Sequence, residues 1–139
     1  MPVITDTTSD DTPSVISAIA DASTNEDAAY SYNASSNFGV DGNTLTYSAT
    51  LSNGSALPSW LSINSTSGVL SGTPENADVG AINVTVTATD TNSASISDTY
   101  TLTVNNTYDV PTVLTAISNA STNEDAAYSY NASSNFGVD

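Results

Sequence analysis

The stretch ASTNEDAAYSYNASSNFGVD occupies residues 22–41 and returns letter for letter as residues 120–139. Self-similarity at a fixed offset marks a repeat protein. The offset here is 98 residues, from position 22 to position 120, and a period of that size fits one small domain per repeat. The sequence therefore predicts a tandem array. Residues 1–10 end one repeat and lead into the linker, residues 11–108 form a complete repeat, and residues 109–139 supply a linker and the first two strands of the next.

The composition excludes several function classes. The chain has no lysine, arginine, histidine or cysteine, and its formal net charge is −15. Nucleic acids and anionic membrane surfaces are bound through cationic side chains, so neither is an expected partner. Catalysis through histidine, lysine or cysteine is impossible, and no disulfide can form. No stretch approaches the roughly 20 apolar residues that a membrane-spanning helix needs, so membrane insertion is not expected. We therefore predict a chain that is not an enzyme.

The hydrophobic pattern is that of short strands, with apolar residues at alternate positions and turn residues between them. Residues 82–89 (INVTVTAT) are an example, since they alternate isoleucine, valine and alanine with polar residues. The predicted strands are residues 14–19, 29–34, 44–51, 58–63, 69–72, 82–89 and 94–104. Seven short strands predict an all-β fold, a seven-stranded antiparallel immunoglobulin-like or cadherin-like β-sandwich. The predicted core is Val15, Ile19, Tyr30, Tyr32, Leu45, Tyr47, Trp60, Ile63, Leu70, Val84, Val86, Tyr100 and Leu102.

Four ordered motifs carry a family resemblance. They are LPSWLSI at residues 57–63, SGVLSGTP at 67–74, DVG at 78–80 and VTVTATD at 84–90. Together they make residues 11–108 resemble the dystroglycan-type cadherin-like domain, also described as an immunoglobulin-like repeat of large bacterial surface proteins. The resemblance implies an extracellular sandwich used in adhesion, in surface layers, or beside polysaccharide-degrading enzymes. It also implies that Ca²⁺ can lie between repeats.

Most of the carboxylates fall in predicted turns, at the two ends of the sandwich. Six of them are expected to converge on one junction between repeats: Glu26, Asp27, Glu75, Asp78, Asp109 and Asp139. The opposite end carries Asp11, Asp41, Asn43 and Asp90. Gathered carboxylates repel one another, and Ca²⁺ takes six to eight oxygen ligands of this kind, so we predict structural Ca²⁺. The alternative is that Asp and Glu simply prefer turns to strands.

One departure from the pattern of calcium-binding relatives weakens the prediction of a Ca²⁺ site. Calcium-binding relatives often carry an additional Asp before the Asp-Gly-Asp of the loop that here reads Gly39-Val40-Asp41-Gly42-Asn43. One carboxylate is therefore missing from this loop, and another is replaced by an amide.

The sequence favours a structural repeat of a long extracellular or cell-surface protein, as a stalk, filament or adhesin spacer stiffened by Ca²⁺. Its expected partners are neighbouring repeats or identical chains. One alternative is a carbohydrate-binding accessory module, for which Tyr108 beside the linker is the exposed aromatic candidate. Another is a filament subunit that exchanges strands between chains. Asn-x-Ser/Thr tripeptides also allow glycosylation.

Overall fold

A computed structural model describes residues 12–40 and 42–138 of the chain. The chain divides into two compact units, one that ends at Asn106 and one that begins at Thr107. The described residues of the first unit form nine strands: β1 (Ser14–Val15), β2 (Ala22–Asn25), β3 (Tyr30–Asn33), β4 (Phe38–Gly39), β5 (Thr46–Leu51), β6 (Leu61–Ile63), β7 (Val69–Gly72), β8 (Gly80–Thr89) and β9 (Ser95–Asn105). In the described residues, no helix has the length and apolar character needed to cross a membrane.

The predicted β-sandwich is confirmed. A four-stranded sheet in the order β2-β9-β8-β5 faces a three-stranded sheet in the order β3-β7-β6, and β1 pairs with β4 at the side. The central pair, β8 and β9, forms because each strand alternates apolar and polar residues. Val84, Val86 and Ala88 of β8 point inward and are fully buried. On the outer face, the hydroxyl groups of Thr87 and Ser97 lie 2.8 Å apart across the two strands.

The core matches most of the predicted set. Ile19, Tyr30, Tyr47, Leu70, Val84, Val86, Tyr100 and Leu102 are buried, while Tyr32, Leu45, Trp60 and Ile63 are half-buried and pack against them. Val15 was predicted wrongly, because β1 pairs only with the short strand β4 and leaves this side chain 36% exposed. Phe38 was missed. It follows a turn-like run, yet it lies in β4 and is 4% exposed.

One pairing departs from the predicted antiparallel arrangement. The sequence predicts a turn over residues 22–28, but Ala22–Asn25 forms β2, which runs parallel to β9 with Ala22 opposite Leu102 and Asn25 opposite Asn105. The four residues ASTN show no buried apolar alternation, so their strand state depends on the free edge of β9 and not on their own pattern. Every other strand pairing in the described part of the first unit is antiparallel.

Two buried tyrosines join the sheets through their hydroxyl groups. The phenol oxygens of Tyr30 and Tyr100 lie 3.1 Å apart, and the ring of Tyr32 lies 6.1 Å from that of Tyr100. Burial raises the pKa of Tyr100 well above its usual range, and its hydrogen bond with Tyr30 raises it further. Burial also raises the pKa of Tyr30, although the hydrogen bond with Tyr100 opposes part of that change.

These pKa shifts predict a loss of stability at high pH. Below a pH of about 10 the tyrosines are neutral in both the folded and the unfolded chain, so Tyr100 makes its full contribution to the free energy of unfolding. Above it, the unfolded chain releases protons that the folded chain retains, and the free energy of unfolding falls by up to about 1.4 kcal/mol per pH unit for each such tyrosine. Urea unfolding between about pH 8 and pH 11 measures this slope. Tyr100→Phe should make the slope shallower, and an unchanged slope would contradict the prediction.

The second unit repeats the local structure of the first at the same offset. Strands β10 (Thr112–Val113) and β11 (Phe136–Gly137) pair in the register Thr112 with Gly137, as β1 and β4 pair Ser14 with Gly39. This short strand pair therefore recurs with the sequence, whereas residues 120–131 form no strands, unlike their counterparts in β2 and β3. The predicted division into residues 1–10, 11–108 and 109–139 stays a prediction.

Candidate functional site

The end at which β2 and β9 finish holds the first group of predicted carboxylates. Because these two strands run parallel, the chain leaves the sheet at the same end after Asn25 and after Asn105. The backbone N–H of Glu26 donates to the carbonyl of Asn105 at 3.0 Å. The Asn106 side-chain amide donates to Glu26 Oε1 at 2.9 Å. Glu26 is only 2% exposed, so it is a buried carboxylate at this end.

The loop after β7 meets the same end. The N–H of Asp27 donates to the carbonyl of Pro74 at 2.8 Å, which places Glu75 in the adjoining loop. Asp27 has a φ of +58°, a left-handed conformation that Asp and Asn tolerate better than other non-glycine residues. Asp78 Oδ2 accepts the N–H of Glu75 at 2.9 Å, so one oxygen of this carboxylate stabilises its own turn. Glu26, Asp27, Glu75 and Asp78 therefore lie at one end of the sandwich.

The opposite end holds Asn43 and Asp90. Thr91 donates its hydroxyl to Asn43 Oδ1 at 3.3 Å, so the loop before β5 touches the turn between β8 and β9. Asp90 Oδ1 accepts two backbone N–H groups, from Asn92 at 2.8 Å and from Ala94 at 2.9 Å. Asp90 is 7% exposed. This carboxylate shapes its own turn, as Asp commonly does.

The remaining predicted ligands are not placed beside these groups. Asp11, Asp41 and Asp139 lie outside the described residues, and Asp109 belongs to the second unit. Over residues 12–40 and 42–138, no group of three Asp or Glu side chains is close enough to hold a metal ion. Metal binding by the predicted set stays a prediction.

Two further carboxylates have roles that the sequence analysis missed. Asp98 Oδ2 accepts the N–H of Ile19 at 2.6 Å, and Asp21 Oδ1 accepts the N–H of Thr101 at 2.8 Å. Both bonds fix residues 16–21, which cross from β1 to β2, against the edge of β9. An Asp at the centre of an alternating strand was the available signal, because strands are depleted in Asp.

A buried asparagine stabilises the same crossing in both units. Tyr32 donates its hydroxyl to Asn37 Oδ1 at 2.7 Å, and Asn37 Nδ2 donates to the carbonyl of Ser17 at 3.0 Å. In the second unit Asn135 accepts from Tyr130 at 2.7 Å and donates to the carbonyl of Thr115 at 2.8 Å. The identical segments therefore form the same internal hydrogen bonds.

The chain is similar to known proteins in sequence and in fold. A family profile described as "Putative Ig domain" matches residues 12–105. A comparison with curated proteins found no match. Among solved structures, an endo-fucoidan hydrolase from glycoside hydrolase family 107 superposes with a TM-score of 0.58 and 25% sequence identity, over 73% of this chain and 14% of that protein.

Two other solved structures show weaker similarity. An α-galactosidase from Bacteroides fragilis NCTC 9343, described as putative, matches with a TM-score of 0.50 and 17% identity, over 68% of this chain and 18% of that one. Drosophila N-cadherin EC1-4 matches with a TM-score of 0.46 and 16% identity, over 67% of this chain and 23% of that one. The chain thus spans less than a quarter of each of these proteins.

Proposed function

Because the chain belongs to the family described as "Putative Ig domain", we propose that it is a structural repeat of a long extracellular protein. In this role it is a non-catalytic stalk, filament or adhesin spacer. The observation that carries the proposal is the recurrence of one sequence and one local structure 98 residues apart, with β10 and β11 in the register of β1 and β4. Domains that recur along one chain extend it in one dimension.

Other features support this role. Domains of this family type are often extracellular and are typically not catalytic. The carboxylates at the ends of the first unit accept hydrogen bonds that stabilise the fold. Asp78 and Asp90 accept backbone N–H groups of their own turns, and Glu26 accepts the side-chain amide of Asn106. The chain has no residue that trypsin-like proteases recognise, since it lacks lysine and arginine.

Small-angle scattering tests the spacer role. Arrays of two, three and four repeats should increase in maximum dimension by a constant amount, on the order of 35 Å per repeat, since the long strands of about ten residues rise about 3.4 Å per residue. A maximum dimension that stops growing as repeats are added would show a collapsed assembly and would contradict the spacer role.

We further propose that Ca²⁺ stiffens the junction between repeats. The support is chemical. Glu26, Asp27, Glu75 and Asp78 lie at one end of a chain that has no cationic side chain, and their oxygens are the ligands that Ca²⁺ prefers. Since the described residues contain no cluster of three carboxylates, the ligand set would need oxygens from a neighbouring repeat.

Calcium should therefore raise the melting temperature of a two-repeat chain. A dissociation constant of about 0.1 mM in about 10 mM Ca²⁺ would add roughly 2.7 kcal/mol, which corresponds to a rise of several degrees. Mg²⁺ at the same concentration is the control for charge screening. Asp27→Asn should reduce the rise without straining the backbone, because Asn also tolerates a positive φ. No shift with Ca²⁺, or an equal shift with Mg²⁺, would leave the carboxylates as ordinary turn residues.

A carbohydrate-binding accessory module is the second candidate. It is favoured by the similarity to the endo-fucoidan hydrolase, at 25% identity, and by two aromatic residues. Tyr108 is 86% exposed, and Trp60 lines a groove of about 260 Å³ with Asp78 and Ile82. Aromatic rings of this kind can stack on sugars. A glycan-array signal that is lost on Tyr108→Ala would favour this candidate over the spacer.

A further inference from the structure

The Asn-x-Ser/Thr tripeptides, which are the acceptor motif for N-linked glycans, lie in different surroundings in the first unit. Five of them begin there, at Asn33, Asn53, Asn64, Asn83 and Asn105. An enzyme that glycosylates a folded chain must reach the Asn side chain and the hydroxyl residue two positions later at the same time. Local structure therefore decides which of the five tripeptides can act as an acceptor.

Three of the tripeptides are held in the sandwich. The residues that directly follow Asn33 and Asn83 are core residues with no exposed surface. The Nδ2 atom of Asn105, to which a sugar would be joined, donates to Asn25 Oδ1 at 3.3 Å. Presenting any of these three tripeptides to an enzyme would require part of the sandwich to open.

The tripeptide at Asn64 is exposed, but hydrogen bonds fix it between strands. Asn64 Oδ1 accepts the N–H of Thr66 at 3.0 Å. The backbone N–H of Asn64 donates to the carbonyl of Val69 in β7 at 2.8 Å. The carbonyl of Ser65 accepts the N–H of Tyr47 in β5 at 2.9 Å. This turn is therefore bonded to strands of both sheets, and it cannot be drawn into an enzyme without breaking those bonds.

The tripeptide at Asn53 is exposed and bonded only within its own turn in the described part of the chain. Every residue from position 52 to position 56 is exposed. The N–H of Ser55 donates to Asn53 Oδ1 at 2.9 Å, and the N–H of Gly54 donates to the carbonyl of Leu51 at 2.9 Å. A Cβ atom at position 54 would meet nothing within 4 Å. An enzyme therefore finds open space on this turn and no core residue within it.

We propose that Asn53 is the preferred acceptor of an N-linked glycan in the first unit. In the transfer, Asn53 Nδ2 attacks the anomeric carbon of a lipid-pyrophosphate-linked oligosaccharide. The new C–N bond forms as the bond between that carbon and the pyrophosphate oxygen breaks. The lipid pyrophosphate leaves with the electron pair of the broken bond, and one Nδ2 proton passes to a base of the enzyme. The inference rests on the proposed extracellular role, because glycans of this kind are carried by secreted chains.

Glycosylation of the folded full-length chain in vitro tests the proposal. The chain is incubated with a purified single-subunit oligosaccharyltransferase and a lipid-pyrophosphate-linked oligosaccharide. Mass spectrometry then follows the occupancy of each Asn after digestion with chymotrypsin, since the chain has no lysine or arginine for trypsin. We expect an initial rate at Asn53 at least about tenfold above that at each of the other four sites, because those sites need local opening.

Ser55→Ala provides a variant that keeps the turn and removes the motif. The hydrogen bond from residue 55 to Asn53 comes from its backbone N–H, so it does not need the serine hydroxyl. Because the motif requires a hydroxyl residue at this position, the glycan should disappear from Asn53 alone. A glycan that stays on Asn53 in this variant would overturn the proposal.

Short peptides separate the effect of the fold from that of local sequence. Synthetic peptides of residues 48–58 and 59–69 carry the tripeptides of Asn53 and Asn64 outside the sandwich, where a single turn is not stable. The two peptides should accept the oligosaccharide at similar rates, and they also show that the enzyme is active.

Two results would contradict the role of the fold in selecting Asn53. One is a folded chain in which Asn53 reacts no faster than the other four sites. The other is a pair of peptides that keep the full preference for Asn53 over Asn64. Neither result would bear on the spacer role, which scattering from repeat arrays tests separately.

Discussion

Replacing Tyr30 with alanine is expected to lower the free energy of unfolding of the first unit by about 3–4 kcal/mol. The side chain is 8% exposed, and truncation of a buried aromatic residue removes its transfer free energy and leaves a cavity. The variant also removes the hydrogen-bond partner of the Tyr100 hydroxyl, which is itself almost fully buried. Small domains have about 5–15 kcal/mol of stability, so the loss is a large share of the total.

The internal repeat supplies a matched control for this variant. Tyr128→Ala makes the same change inside the same 20-residue sequence, but at a side chain that is 57% exposed. It should change stability by no more than about 0.5 kcal/mol. Urea unfolding followed by fluorescence measures the stability of the first unit in both variants, because the single tryptophan of the chain, Trp60, lies in that unit. If the two variants lost the same free energy of unfolding, the difference in burial between Tyr30 and Tyr128 would be contradicted.

Gly72→Ala is expected to destabilise the first unit by about 3 kcal/mol or more, as overpacking against rigid backbone does. Gly72 lies between Tyr30 and Leu61 in neighbouring strands. A Cβ at this position would stand 1.7 Å from the carbonyl oxygen of Trp60. Because the obstructing atoms belong to backbone, they cannot turn aside as a side chain could. A strand glycine of this kind permits the close approach of another chain segment.

Gly54→Ala gives the corresponding control. Its Cβ would meet nothing within 4 Å, so the cost comes only from the positive φ of +85°, at about 1–2 kcal/mol. The same urea measurement compares the two variants. If Gly72→Ala cost no more than Gly54→Ala, the backbone of residues 60–61 would have to move away from β7, and the close packing described here would be wrong.

The sequence predicted a set of carboxylates at the ends of the sandwich, of which the structure describes only part, and it did not predict their hydrogen bonds. Turn placement led to the expectation that Glu26 and Glu75 lie at one end. In the structure Glu26 reaches that end because it follows β2, which runs parallel to β9. Turn placement could not show that Glu26 is buried, since burial depends on Asn106 covering it from 80 residues away. Nor could it show that Asp90 uses one oxygen for two backbone N–H groups of its own turn.

The sequence by itself determined the class of the fold and its repetition. Alternating apolar residues specify strands that are buried on one side, as in residues 82–89, because side chains of a strand point to opposite faces in turn. Identity between residues 22–41 and 120–139 specified the period. The absence of cationic side chains led to the expectation, which stays a prediction, that nucleic acids are not partners. Each of these follows from local pattern or composition, so none requires knowledge of distant contacts.

Only the tertiary structure decided what the identical segments do. The same residues form β2 and β3 in the first unit, where β9 and β7 offer pairing edges, and remain exposed in the second unit. The strand state of Ala22–Asn25 and the burial of Tyr30 are thus properties of the surfaces that receive them. Local sequence is the same in both places, and the difference comes from the long-range contacts that only one of them has made.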